Sequence, residues 1–114
     1  IVVSDISDTI PILLDIRISE SARGKGYGEQ SINWIVDYLF SNYKDKIRFE
    51  AYTRADNYAM RKVFTKCLFQ KEGYLRHAWE NDDNSIHAAI IYGIIRKDWE
   101  QKSVTPIHID DVPF

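Results

Sequence analysis

The segment RGKGYG, residues 23–28, has the residue types and the spacing needed to bind a phosphate group. Its three glycines, at every second position, permit a sharp turn and place no Cβ atoms between a ligand and the backbone amides. Where such a loop opens a helix, the first helical amides lack intrahelical partners and lie at the positive end of the helix dipole. Arg23 and Lys25 add cationic donors for the same anion. The segment predicts an anion site, with a simple strand-to-helix turn as the alternative.

The spacing of these glycines does not fit the two most familiar nucleotide-binding loops. The pattern GxxxxGK[ST] of the P-loop does not occur in the sequence. Counting from Gly24 or Gly26 also fails to give GxGxxG followed by an acidic ribose partner about 20 residues later. The loop therefore suits a ligand other than those that these two motifs bind.

The glycine loop lies between a predicted strand and a predicted helix. Residues 10–19, IPILLDIRIS, are rich in β-branched and apolar side chains and alternate in polarity, which predicts a strand. After the loop, apolar side chains recur at the spacing of one helix face and predict a helix from about Tyr27 to Tyr43. The members of this stripe are Ile32, Ile35, Val36, Leu39, Phe40 and Tyr43.

A second strand and a second helix follow. Residues 46–53, KIRFEAYT, alternate and place Ile47, Phe49 and Ala51 on one face of a strand. Because a helix connects the two strands, we expect them to pair in parallel. The next helix begins at Asp56 or Asn57 as its N-cap. Its apolar side is formed by Ala59, Met60, Val63, Phe64 and Cys67.

The C-terminal third of the sequence predicts a hairpin and a tail. EGYLRHAWE, residues 72–80, and SIHAAIIYGIIRKDW, residues 85–99, are strand-like and are separated by the turn-forming NDDN. We expect them to pair as an antiparallel hairpin. Residues 101–114 contain two of the three prolines and little periodicity, so we expect an extended tail. A chain of 114 residues then predicts one domain over residues 1–100, followed by this tail.

The composition narrows the classes of partner and location. A net charge of −2 gives no overall positive field for nucleic acid or an anionic membrane. The longest uncharged apolar run, residues 88–95, falls far short of the roughly 20 residues of a membrane span. Cys67, the single cysteine, excludes an internal disulfide and fits a reducing cytoplasm, where we place the protein. His77, His87 and His108 lack the spacing of metal ligands, so we predict no metal.

The order of these features resembles the GNAT superfamily of N-acetyltransferases over roughly residues 10–99. The loop RGKGYG matches the [QR]xxGx[GA] motif of that superfamily, and it lies between a strand and a helix as it does there. The stretch DNYAMRKVFTKCLFQKEGYLRHAWE resembles the second cofactor element, in which an asparagine opens a helix. KEGYLRHAW and IIYGIIRKDW are similar to the ribosomal-protein and spermidine acetyltransferase-like branches. The resemblance implies an α/β (α+β) fold, with a mixed, mostly antiparallel sheet and a central parallel strand pair flanked by helices.

The resemblance also implies acetyl-coenzyme A as co-substrate and a primary amine, on a small molecule or at a protein N-terminus, as acceptor. The pyrophosphate would bind the loop formed by Arg23, Gly24, Lys25, Gly26, Tyr27 and Gly28. Backbone groups of Ile16, Arg17 and Ile18 would pair with the pantetheine arm. Asn57 would hydrogen-bond the cofactor, cap its helix, or do both. For the general base the candidates are Asp15 and Glu50, of which we select Asp15.

Three departures from the family pattern keep an alternative open. Phe64 stands where many members have a tyrosine that donates a proton, and Leu68 stands where glycine is usual. Only about nine residues precede the first predicted strand and the sequence begins with Ile1, so either the start has been lost or the chain is a shortened form. In a shortened form the exposed sheet edge would need cover from a partner subunit, and we expect a homodimer. The alternative is a non-catalytic GNAT-like module that binds coenzyme A or a protein, and a phosphate-binding regulatory domain of unrelated fold is a third hypothesis.

Overall fold

A mixed sheet with helices packed on one face forms the part of the chain that the structure describes. The structure is a computed structural model, and it describes residues 2–4, 12–15 and 26–114. The strands in these ranges are β1 (Val2–Ser4), β2 (Ile12–Asp15), β3 (Arg48–Arg54), β4 (Gln70–Glu80) and β5 (Ile86–Ile95). The helices are α1 (Tyr27–Asn42), α2 (Tyr58–Lys66) and α3 (Arg96–Gln101).

The five strands lie in the order β1-β2-β3-β5-β4. Among the described strands only β2 and β3 pair in parallel, and the other three pairs of neighbours are antiparallel. This arrangement confirms the mixed, mostly antiparallel sheet with a central parallel pair that the sequence predicts. The parallel pair follows from α1, which carries the chain from the end of β2 back to the start of β3.

The hydrophobic core lies between the helices and one face of the sheet. Five of the six predicted stripe residues of α1 are buried, and Tyr43 is partly buried against them. The sheet contributes Phe49 and Ala51 from β3 and Tyr92 from β5. The predicted inward position of Ile47 is wrong, because β3 begins only at Arg48 and the side chain of Ile47 is 62% exposed.

The predicted last strand is too long, because β5 ends at Ile95 and a helix begins at Arg96. The guanidinium of Arg96 donates hydrogen bonds to the backbone carbonyls of Phe40, Tyr43 and Lys46. These contacts turn the chain toward the C-terminal end of α1, where the strand cannot continue. Residues 102–114 follow α3 without helix or strand, whereas Gln101, which the sequence assigns to the tail, is the last residue of α3.

The C-terminal end of α2 has the geometry of a Schellman motif with leucine in place of glycine. The amide of Phe69 donates to the carbonyl of Phe64 at 3.0 Å, and the amide of Leu68 donates to that of Thr65 at 3.3 Å. The rings of Phe64 and Phe69, 5.2 Å apart, supply the apolar contact that accompanies this motif. Leu68 has a φ of +70°, a conformation that is strained for any residue with a Cβ atom.

We expect the Leu68→Gly variant to be more stable than Leu68→Ala by about 1 kcal/mol. Both variants lose the packing of the leucine side chain, so their difference reports the backbone strain at a φ of +70°. The greater entropy of unfolded glycine offsets part of the gain, which keeps the expected difference small. Urea unfolding of the two variants measures it. An alanine variant as stable as the glycine variant would contradict strain at this position.

Candidate active site

The N-terminus of α1 has the backbone geometry of an anion site. Gly26 is its N-cap, with φ 80° and ψ 5°, and no side chain of the described residues caps the helix. The amide of Gln30 donates to the carbonyl of Gly26 at 3.0 Å as the first helical hydrogen bond. The amides of Tyr27, Gly28 and Glu29 precede that bond and have no carbonyl in the helix to pair with. These amides are donors suited to an anion.

The two described glycines of the loop differ in their surroundings. A Cβ atom on Gly26 would meet no described atom within 4 Å. A Cβ atom on Gly28 would lie 3.7 Å from Val63 of α2, an ordinary packing distance. Tyr27 is 45% exposed. Arg23, Gly24 and Lys25 lie outside the described residues, so their part in the loop stays a prediction.

The parallel strands β2 and β3 pair over a short distance. The described pairs are Ile12 with Glu50 and Leu13 with Ala51, whereas β3 continues to Arg54. Backbone groups at the C-terminal end of β3 are therefore not paired with β2 in the described register. The predicted pantetheine contacts at Ile16, Arg17 and Ile18 fall outside the described residues.

Asn57 is the N-cap of α2, one of the two residues that the sequence offers for that position. Its Oδ1 accepts a hydrogen bond from the amide of Met60 at 3.2 Å. This contact accounts for the asparagine without any ligand, and a hydrogen bond to the cofactor remains a prediction. The two helices meet where Gly28 packs on Val63 and the Cys67 thiol approaches the carbonyl of Glu29 at 3.6 Å.

Of the two candidate general bases, the structure describes the side chain of Glu50 but only the backbone of Asp15. Asp15 is the last residue of β2, and its side chain is outside the described part of the chain, so its role as general base stays a prediction. Glu50 lies on β3, where its Oε2 accepts a hydrogen bond from Nε of Arg48 at 3.0 Å. The guanidinium occupies this oxygen, so fewer lone pairs of Glu50 are available to an amine or to a bridging water. Glu50 is therefore the less suitable base.

Sequence reasoning missed a charged cluster on the sheet face opposite the helices. Arg48 forms ion pairs with Glu50 and with Glu72 of β4, the latter at 2.9 Å. The hydrogen bond to Glu72, and after it the one to Glu50, raise the pKa of Arg48. Burial and the nearby charge of Glu50 raise the pKa of Tyr52. The bridge crosses over Gly93, where a Cβ atom would lie 2.5 Å from the Glu72 carboxylate. The alternation of Arg48 and Glu50 was visible in the sequence, whereas the approach of Glu72 depends on a β-bulge beside it.

Phe64 of α2 and Cys67, the C-cap of that helix, are the two side chains here that could take part in proton transfer or nucleophilic attack. Phe64, where many relatives of the resembled family have tyrosine, is 2% exposed and packs against Phe69 and Tyr92. It offers no proton to a leaving group. Cys67 is buried, and this burial, with the charge of Glu29, raises the pKa of its thiol to about 11. Both observations make these side chains part of the core.

We expect the thiol of Cys67 to resist alkylation in the folded protein. At pH 8 a thiol with a pKa of about 11 is almost entirely protonated, and the thiolate is the reactive form. Because the folded pKa is raised, this group stabilises the fold below the ordinary thiol pKa of roughly 8.5, and that contribution falls as the pH rises toward 11. Mass spectrometry after iodoacetamide treatment should show slow labelling in buffer and fast labelling in urea. Equal rates would mean that Cys67 is accessible.

The described residues contain neither a candidate metal site nor a candidate membrane-spanning helix. No group of three or more His, Cys, Asp or Glu side chains there has the geometry of a metal site. No helix within residues 26–114 combines the length and the apolar character needed to cross a bilayer.

The fold is that of the acetyltransferases. A spermidine N-acetyltransferase from Vibrio cholerae, solved as a dodecamer, superposes with a TM-score of 0.74 at 18% identity, over 87% of this chain and 56% of that one. A GNAT-family acetyltransferase from Bacillus anthracis gives 0.70 at 19% identity, over 78% and 52%. RimL, a ribosomal alpha-N-protein acetyltransferase in complex with coenzyme A, gives 0.70 at 23% identity, over 80% and 50%. At these identities the likeness establishes the fold.

A match to a sequence family confirms the class of protein that this fold indicates, an acetyltransferase of the GNAT type. Residues 3–69 match the acetyltransferase (GNAT) family, and the chain belongs to that family. It spans about half the length of the solved structures that it matches. No curated protein matches the sequence. The third hypothesis drawn from the sequence, a phosphate-binding regulatory domain of unrelated fold, is therefore wrong.

Proposed function

We propose that this chain forms the acetyl-coenzyme A-binding part of an N-acetyltransferase that acetylates a primary amine, on a small molecule or at a protein N-terminus. The observation that carries the proposal is the N-terminus of α1, where Gly26 is the N-cap and no described side chain caps the helix or lies within 4 Å of its Cβ position. Family membership supports acetyl-coenzyme A as the ligand of that helix end. RimL, one of the similar structures, holds coenzyme A.

Each predicted cofactor residue has a physical role in this proposal. The amides at Gly26, Tyr27 and Gly28 donate to the diphosphate, and Arg23 and Lys25 add positive charge. The described pairing of β2 with β3 ends at Ala51, and beyond it the backbone at Ile16, Arg17 and Ile18 would hydrogen-bond an extended arm as an added strand does. Asn57, already the cap of α2, has an amide group that extends the same polar region.

The chemistry requires one proton to be removed and one to be supplied. The amine nitrogen bonds to the acetyl carbon as the carbon–sulfur bond breaks, the amine loses a proton, and the sulfur gains one. A lysine-like amine with a pKa of about 10.4 is mostly protonated at pH 7, so a base assists. We assign that role to Asp15, because Glu50 is held by Arg48. Phe64 cannot supply the second proton, so we assign this to water.

Calorimetric titration of the full chain with acetyl-coenzyme A tests binding, and release of free thiol in the presence of acceptors tests transfer. The acceptors are spermidine and a short peptide with a free N-terminus, with the same peptide N-acetylated as the matched control. We expect saturable binding and thiol release that depends on a free amine. Absence of binding would overturn the proposal.

The second candidate function is a non-catalytic module that binds coenzyme A, and the burial of Phe64 is the observation in its favour. The two candidates differ in one measurement. The enzyme binds acetyl-coenzyme A and releases thiol with an amine, whereas the module binds without any release. Thiol release above the rate with the acetylated control peptide excludes the module.

We also propose that the protein forms a homodimer and is located in the cytoplasm. A similar structure, the V. cholerae spermidine N-acetyltransferase, is an oligomer. The buried free thiol of Cys67 supports a reducing compartment. Sedimentation equilibrium tests the first, and a twofold molecular mass is the expected result.

A further inference from the structure

Residues 106–114, which we call the C-terminal segment, leave the body of the protein with their apolar side chains exposed. These side chains are Ile107, Ile109, Val112 and Phe114, of which Ile109 is 81% exposed. Among the described residues, the hydrogen bond found within this segment is local and joins the amide of Val112 to Oδ1 of Asp110 at 2.9 Å. So many exposed apolar side chains in one short segment are a property of interaction sites rather than of solvated tails.

The start of the C-terminal segment is fixed to α3. Oδ1 of Asp98, a residue that is only 3% exposed, accepts hydrogen bonds from the amide of Thr105 at 3.0 Å and from its hydroxyl. The amide of Ser103 also donates to the carbonyl of Asp98 at 3.2 Å. These bonds hold the residue before the segment in one place, so less freedom is lost when the segment binds a partner.

A cleft of about 440 Å³ between α2 and the start of β4 has a charge opposite to that of the C-terminal segment. The cations that line it are Arg61, Lys62, Lys66 and Lys71, and none of the described residues in its lining is acidic. The ion pairs formed in the ranges that the structure describes include none of these lysines. The segment carries Asp110 and Asp111 and contains neither Lys nor Arg, so the two surfaces are complementary in charge.

The cleft offers both a fixed cation and an apolar surface. Nε of Arg61 donates to the hydroxyl of Tyr92 at 3.3 Å, and its Nη1 donates to the carbonyl of Ala55 at 2.7 Å. These bonds use two of the five N–H donors of the guanidinium and leave others for a carboxylate. The ring of Tyr58, 64% exposed at the same cleft, is a surface on which apolar side chains can pack.

We propose that the C-terminal segment of a second copy of this chain occupies the cleft. Asp110 and Asp111 pair with its cations, and the apolar side chains on either side of them pack on Tyr58. Two copies related by a twofold axis exchange their segments, so that both clefts are filled and both segments are covered. This exchange specifies the contact of the proposed homodimer and does not depend on acetyl transfer.

The second copy is the fitting source because the segment starts far from the cleft of its own chain. α3 packs on the C-terminal half of α1, where the rings of Trp99 and Phe40 are 5.4 Å apart, whereas α2 packs on the first turn of α1 at Glu29. These contacts are about 16 Å apart along α1, and the cleft lies beyond them on the far side of α2, a helix about 10 Å wide. From Thr105 to Asp110 a fully extended chain spans at most about 18 Å, so its own cleft lies at the limit of this reach.

Sedimentation equilibrium of the full chain tests the exchange by reversing charge on each side. The segment variant is Asp110→Lys/Asp111→Lys, and the cleft variant is Lys62→Glu/Lys66→Glu/Lys71→Glu. We expect the wild type to dimerise more weakly as salt is added, and each variant alone to raise the dimer dissociation constant at least about tenfold. An equimolar mixture of the two variants should dimerise again, because each segment then meets a cleft of opposite charge in the other chain.

Matched controls and the opposing outcomes make the test decisive. Asp82→Lys in the hairpin turn and Lys97→Glu on α3 reverse exposed charges outside the two surfaces and should leave dimerisation unchanged, while thermal unfolding checks the fold of every variant. A dimer that survives both variants would overturn the exchange and leave the homodimer of the proposed function. Folded variants that stay monomeric when mixed would overturn it as well. A monomeric wild type whose cleft binds inorganic phosphate, with binding lost in the cleft variant, would replace the segment by a small anion.

Discussion

Replacing Arg96 with methionine is expected to lower the free energy of unfolding by about 3–5 kcal/mol. The arginine donates to the carbonyls of Lys46, Phe40 and Tyr43 at 2.7, 3.0 and 2.8 Å. Methionine keeps an unbranched apolar stem but removes the donor from all three acceptors at the C-terminal end of α1, of which the Tyr43 carbonyl keeps the amide of Lys46 at 3.1 Å. The variant also loses the positive charge that the helix dipole favours there, and the contact of the guanidinium with the Phe40 ring at 4.9 Å.

Urea unfolding followed by circular dichroism measures this loss. Arg96→Lys is the informative second variant, since it keeps the charge but cannot donate to three carbonyls in the same fork, and we expect an intermediate loss. Lys97→Met is the matched control, because Lys97 is exposed on the same helix and its replacement should stay within about 0.5 kcal/mol of wild type. A loss below 1 kcal/mol for Arg96→Met would mean that water replaces the arginine at these carbonyls.

Replacing Gly26 with aspartate is expected to lower the affinity for acetyl-coenzyme A about a hundredfold, with little change in stability. Aspartate tolerates the left-handed conformation of this residue, φ 80°, better than other charged side chains. It also suits the N-terminus of a helix, so the fold should survive. Its carboxylate competes for the free amides of α1 and repels the diphosphate of the ligand. A hundredfold loss corresponds to about 2.7 kcal/mol of binding free energy.

Two control variants separate charge from shape at this loop. Gly26→Asn has nearly the same size and the same backbone tolerance without the charge, so we expect it to bind several times more tightly than Gly26→Asp. Gly28→Ala adds a methyl group that meets Val63 at an ordinary distance and should leave binding close to wild type. Calorimetry gives the affinities, and thermal unfolding of each variant checks the fold. Unchanged affinity in Gly26→Asp would remove the helix end from the site.

The local pattern of the sequence was sufficient for the elements that repeat regularly. The stripe from Ile32 to Phe40 specified α1 and its buried side, because helical spacing places those residues on one face. The alternation in residues 46–53 predicted β3, and the helix between the strands predicted their parallel pairing. The glycine at position 26 predicted the sharp entry to α1. These features depend on residues close together in the chain, and a local pattern therefore records them.

Only the tertiary structure decided the features that join distant residues. The strand pattern before Arg96 gives no sign of its end, which depends on carbonyls about fifty residues earlier. The bridge from Arg48 to Glu72 depends on a bulge in β4, and the cleft beside α2 is lined by Arg61 together with Lys71 of β4 and Tyr92 of β5. The sequence alone determined the regular elements and the family, because neighbouring residues specify periodicity. Tertiary packing decided where elements stop and which charges meet, because those choices depend on contacts that no local pattern contains.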